Sequence, residues 1–183
     1  MIHGPPPPAP ATHVLMEPHC VGYGGGNPES RRTVTLSRLA ADVGKGLFAG
    51  AAGTAAMTAS STVEARLRGR ADSSAPATAA GALLGVEPVD DDGRKRFNNL
   101  VHWGYGTVWG AARGAISATG LRAVPATLVH LGAVWGSEQV VLPATGAAPP
   151  ATQWGAKEIA IDVFHHAVYV VATALAYAWL DRD

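Results

Sequence analysis

The stretch Ile159-Ala-Ile-Asp162-Val-Phe-His165-His166-Ala-Val-Tyr169-Val-Val-Ala-Thr173-Ala-Leu-Ala-Tyr177-Ala-Trp179-Leu180 decides the fold. It is close to the ~20 residues that a helix needs to cross the hydrocarbon core of a bilayer. It carries one formal charge, Asp162, and ends on Tyr177 and Trp179, side chains that favour the headgroup boundary. Counting Glu158 just before it, its polar residues Asp162, His165, His166, Tyr169 and Thr173 recur every three or four positions, one stripe of a 3.6-residue helix. The other faces are Ile, Val, Phe, Leu and Ala. A carboxylate turned toward lipid costs several kcal/mol, so the stripe must face the interior of a bundle or water.

Working outward, three more segments have similar length. Val43–Thr62 is uncharged after Lys45. Phe97–Thr119 follows the basic cluster Arg94-Lys95-Arg96. Val124–Leu142 ends at Pro143. Trp103, Trp154 and Trp179 lie near segment ends, as interfacial anchors do. Between the first two segments runs a polar loop whose middle, Ala75–Val86, reads as a short amphipathic or surface helix. The run Asp90-Asp91-Asp92 places that loop in water. Pro143–Pro150 is a proline-bounded turn.

Composition agrees. Hydrophobic residues make up 48% of the 183 and charged residues 15%, against a usual charged share of about 25%. Mean hydropathy is only +0.12, because 22 Gly, 13 Pro and many Ala score poorly while packing helices closely. A water-soluble helix shows a charged face opposite its apolar one, and these segments have almost none. The fold expected is all-α: a transmembrane bundle of about four Ala/Gly-rich spans over residues 43–183, behind a disordered Pro/Gly-rich tail, residues 1–42, in which Met16 is an alternative start. The tail fits no secretory signal. Basic residues fall on both sides of such a bundle, so orientation is open. Net charge is zero with no basic patch, which excludes a nucleic-acid partner. The single cysteine, Cys20, excludes an internal disulfide, and His13, His19 and Cys20 read as bystanders to any metal chemistry.

Two sets of residues stand out. Gly46, Gly50 and Gly53 share one side of the first segment, and Gly106, Gly110 and Gly114 one side of the second. This small-xxx-small spacing lets helix backbones approach closely, within the chain or in a homo-oligomer. The second set is polar: His102 with Asn98 and Asn99, His130 and Glu138 with Thr127 and Ser137, and Glu158, Asp162, His165 and His166. Asp162 and His166 stand i, i+4, a spacing that holds one metal from one helix face, although no Glu-x-x-His pair recurs on two helices as di-metal carboxylate sites require. A proton or small-ion path uses the same residue types. So does a plain hydrogen-bonded network that fixes helix register, with Glu158 at the headgroup level favouring a helix start. No Gly-x-Ser-x-Gly elbow and no phosphate-binding glycine loop are present. No catalytic residue, metal or cofactor is required by the sequence.

The order of motifs resembles a known family. A Gly-rich first helix ends in Glu64. Asn99-Leu100-Val101-His102-Trp103, His130-Leu131-Gly132-Ala133-Val134-Trp135-Gly136 and Leu142-Pro143-Ala144-Thr145-Gly146 follow, then Glu158 with His165 or His166. Over about residues 43–180 this is similar to the YagU-like inner-membrane proteins, the DUF1440 family of bacteria. A departure is Arg68-Gly69-Arg70 where that family carries a proline-arginine turn. The resemblance implies a multi-pass protein of the bacterial cytoplasmic (inner) membrane, with the lipid bilayer as its partner, and no established activity. The function expected is non-enzymatic, sensing or conducting protons or a small ion through the His/carboxylate cluster. A membrane metalloenzyme and a helix-packing assembly protein are the alternatives.

Overall fold

The structure, a computed structural model, describes Met1, Gly4, residues 28–71 and residues 73–182, with side chains from Leu36 onward. His13, His19 and Cys20 lie outside the described residues. Among these residues there are helices and turns and no strand: α1 (Pro28–Arg68), α2 (Ala75–Leu84), α3 (Asp91–Ala118), α4 (Ala123–Ala144) and α5 (Ala156–Leu180), with a single 3₁₀ turn at Ala151–Gln153.

The helix ends follow local rules. Asp90 caps α3, its side chain accepting from the Gly93 N–H at 2.6 Å. Pro76 sits in the first turn of α2, where no N–H is needed, and Gly85 ends that helix in the left-handed region at φ 66°. The surface helix expected in this loop is therefore present. Helix α1 starts at Pro28 rather than near Val43, and Pro143 lies inside the last turn of α4 rather than after it.

The long helices alternate in direction. Gly46 stands against Gly110 and Gly114, Thr54 against Gly106, and Thr58 against His102, so α1 and α3 run antiparallel. Helix α5 also opposes α1, with Lys45 bonded to Asp181 at one end and Arg68 to Glu158 at the other. Helix α4 closes on α3 and α5, and α2 lies across α3 and α4 at the Arg68 end.

Glycine makes the central packing. A Cβ on Gly50 would stand 2.7 Å from the Gly110 Cα and 2.8 Å from the Gly106 and Thr107 carbonyl oxygens. Gly46 and Gly114 meet backbone as closely, while Gly53 faces Tyr169 and Thr173 of α5. Both glycine faces are thus covered within one chain, and among the described residues neither is left free for a second copy.

Beside an apolar core that includes Val134, Leu142, Tyr169 and Val170, the bundle buries several polar groups and exposes many large apolar ones. Buried side chains include Thr54, Arg113, His130, His165, His166 and Thr173, whereas Phe48, Leu67, Leu100, Val108, Leu128, Val140, Phe164, Val171 and Leu175 are exposed. One helix, α5, is long and apolar enough to cross a membrane by length and composition, with a mean hydropathy of 1.6 over its best window. Of the four spans expected, with α5 the most hydrophobic, α1, α3 and α4 do not reach that hydropathy. Each is long enough, but Gly, Thr and inward polar groups such as Arg113, His130, Glu138 and Gln139 dilute its hydropathy.

Candidate functional site

A cavity of about 370 Å³ lies between α1, α3, α4 and α5 beneath α2. Arg70, Ser73, Pro76 and Asn98 line it at the α1–α2 loop, and Glu138, Asp162 and His166 line it deeper in the bundle. At 1.5 Å rise per residue, Asp162 and His166 lie about 9 and 15 Å inside the start of α5. Phe164, about 200° round the helix from both, is exposed on the other face and does not line the cavity.

Three of the seven polar candidates converge. The His166 ring sits with Nε2 2.9 Å from Glu138 Oε2 and Nδ1 3.6 Å from Asp162 Oδ1. His166 Nδ1 donates to the Asp162 carbonyl oxygen at 2.9 Å, one helical turn back. Trp135 Nε1 donates to Asp162 Oδ2 at 2.8 Å, tying α4 to α5. One ligand atom each from Glu138, Asp162 and His166 falls within 4.8 Å of the others.

The other four are placed differently. His102 lines the cavity on α3, its Nε2 2.9 Å from Thr58 Oγ1. His165 also lines it, with Nδ1 2.8 Å from Ser60 Oγ and Nε2 3.8 Å from Glu64 Oε2. His130 is fully buried behind the wall: Nε2 donates to the Trp109 carbonyl at 3.0 Å, and the ring packs on Tyr169 at 5.7 Å between centroids. Glu158 is exposed and pairs with Arg68 at 3.0 Å. The polar stripe of α5 therefore divides by depth: Glu158 at the surface, Asp162 and His166 in the cluster, Tyr169 and Thr173 in the core. Tyr169 donates to the Gly106 carbonyl at 2.6 Å.

Sequence reasoning missed Trp135, Thr58 and Ser60 as partners of the candidate carboxylate and histidines. The signal for Trp135 is a half-buried indole N–H, which usually finds an acceptor. Of the tryptophans taken as anchors, Trp179 is exposed near the end of α5, Trp154 donates to Pro149 in the loop, and Trp103 lies well inside α3 rather than at an end.

The loop end of the cavity carries its own ion network. Glu64 pairs with both Arg70 and Arg68. The Arg70 hydrogen bonds hold its carboxyl down to about 2, burial opposing and Arg68 adding to them. A carboxylate depressed in the folded state contributes stability that is complete above its unfolded value, near 4.3, and is lost as pH falls to the folded value. Arg70→Ala is therefore expected to be less stable than wild type at pH 7, by a margin that closes between about pH 4 and pH 2. Denaturant titrations in detergent across that range check this, and a margin independent of pH would contradict it.

Set against known proteins, no protein-family model, no curated protein and no solved structure matches the chain.

Proposed function

We propose that the chain is a multi-pass integral membrane protein in which α1, α3, α4 and α5 span the bilayer and enclose a largely apolar cavity whose few ionisable groups admit a small cation. The observation that carries this reading is the placement of polarity: histidine, threonine and arginine are buried inside the bundle while many valine, leucine and phenylalanine side chains are exposed. In water such a surface would be an extended apolar patch. In lipid the same arrangement satisfies both the apolar exterior and the inward ionisable groups. Residence in the bacterial cytoplasmic membrane and membership of the YagU-like family are part of the proposal, supported by the order of motifs from Glu64 to His166. Glu138 and Asp162 supply negative charge at the inner end of the cavity, and polar Ser73, Asn98 and Asn99 line its loop end. No reaction is assigned to it.

The protein is expected to stay in alkali-washed membranes and to be released by detergent. In a Cys20→Ser background, Thr58→Cys on the cavity wall is expected to react with a membrane-impermeant thiol reagent from one side of the membrane. Val171→Cys, on the outer face of α5, is expected to stay unlabelled. Recovery in the aqueous fraction, or equal labelling of both positions, would overturn the reading.

A further inference from the structure

We propose that Glu138, Asp162 and His166 form a binding site for one divalent first-row transition cation, of the zinc or manganese type, on the wall of the cavity. This rests on the reading of that cavity as a cation site and names the cation class.

The proton positions of His166 carry the inference. A carbonyl oxygen only accepts, so the bond to the Asp162 carbonyl places a proton on Nδ1. In the neutral imidazole the lone pair is then on Nε2, 2.9 Å from Glu138 Oε2. That oxygen has no hydrogen-bond partner despite its closeness. Two lone pairs facing each other at this distance need a positive charge between or beside them, which a proton on Nε2 or a bound cation supplies, and no hydrogen bond joins the two atoms. The His166 side chain is only 9% exposed and that of Glu138 21%.

The surroundings have the form of a metal site. A ligating histidine usually donates its other N–H to a carbonyl or carboxylate, which fixes tautomer and ring plane, and His166 does so. Trp135 holds Asp162 through Oδ2 and leaves Oδ1 free to ligate. Ligands held tetrahedrally by one ion at about 2.1 Å stand about 3.4 Å apart, so the set closes on an ion with side-chain shifts of about an ångström. Two carboxylates and a neutral imidazole carry two negative charges, which a divalent ion neutralises at membrane depth. An imidazole with two carboxylate oxygens selects zinc, iron(II) or manganese over alkali ions, and three protein ligands leave a position open to the cavity. A second unpartnered donor, His165 Nε2, with a side chain 6% exposed, belongs to the same wall.

The test uses the full chain, extracted from washed membranes in detergent, stripped with chelator and titrated with Zn2+ and then with Mn2+ by calorimetry. About one equivalent per chain is expected for the tighter of the two. Asp162→Asn and His166→Ala should abolish this binding. Trp135→Phe should weaken it about ten- to a hundredfold by loosening Asp162. Circular dichroism and gel filtration identify variants that remain folded, and Trp135→Phe, which removes no ligand, serves if the other two do not. A His13→Ala/His19→Ala/Cys20→Ser variant should bind as wild type does. Loss of binding in that variant, or wild-type affinity in folded Asp162→Asn, overturns the site. So does the absence of binding by both ions. If one-sided labelling of Thr58→Cys persists in those cases, the cavity stands and only its metal falls.

Discussion

Replacing Gly50 by alanine is expected to destabilise the bundle at the contact between α1 and α3. Alanine normally improves a helix interior over glycine by about 1 kcal/mol. At Gly50 that gain is opposed by contact with three backbone atoms of α3, the nearest at 2.7 Å, closer than real Cβ atoms come. Backbone cannot rotate away as a side chain does, so α1 and α3 must separate, and overpacking of this kind costs about 1–3 kcal/mol or more. Separation also moves Thr54 off Gly106 and Thr58 off His102, so one wall of the cavity goes with it. Gly50→Leu is expected to prevent assembly of the bundle. Gly44 and Gly132 are the internal controls, since a Cβ at either meets nothing within 4 Å. Gly44→Ala and Gly132→Ala should raise the melting temperature of the detergent-solubilised protein while Gly50→Ala lowers it. Equal shifts at all three positions would show that the α1–α3 contact is not as close as the structure has it.

The glycine spacing shows how far the sequence could be read. That Gly46, Gly50, Gly106, Gly110 and Gly114 are contact positions follows from period and residue type. That the two sets meet each other, rather than a second chain, depends on the antiparallel register of α1 and α3, which local pattern does not encode. The polar stripe behaves the same way. Asp162, His166, Tyr169 and Thr173 share a face because the helix repeat puts them there. Their division into a cluster pair and a core pair depends on which helix stands opposite at each depth. His165 is adjacent to His166 in sequence but about 100° away around the helix, so it meets Ser60 on α1 while His166 meets Glu138 on α4. His130 and Glu138 lie eight residues apart on α4, about 80° apart in projection, which separates a histidine buried against Trp109 from a carboxylate in the cavity. The start of α1 was hidden for another reason: from Pro28 to Asp42 the helix is rich in charged and polar residues, so it offers no apolar stripe to recognise.

Substituting aspartate for exposed valines at mid-helix should remove the protein from the membrane, and the size of that effect separates the two environments that the hydropathy of α1, α3 and α4 leaves in balance. Val108 on α3 and Val171 on α5 are both exposed, at 64% and 50%, and each lies near the middle of its helix. On a water-soluble bundle, Val→Asp at such positions touches no packing. It changes stability by about 0.5 kcal/mol or less, with a small further loss in helix propensity, and it improves solubility. In lipid the same carboxylate costs about 2.5–3.5 kcal/mol at the centre of a span, and a short side chain such as Asp does not reach the headgroups. The double variant Val108→Asp/Val171→Asp then loses about 5–7 kcal/mol, comparable to the whole stability of a domain. It is expected to disappear from alkali-washed membranes and to be degraded, whereas Val108→Leu/Val171→Leu accumulates as wild type does. If instead the aspartate variant is recovered in the aqueous fraction with an unchanged melting temperature, then α3 and α5 face water. The buried His130, His165 and His166 would then belong to a soluble helical core with an exposed apolar surface, and the four-span reading would be wrong.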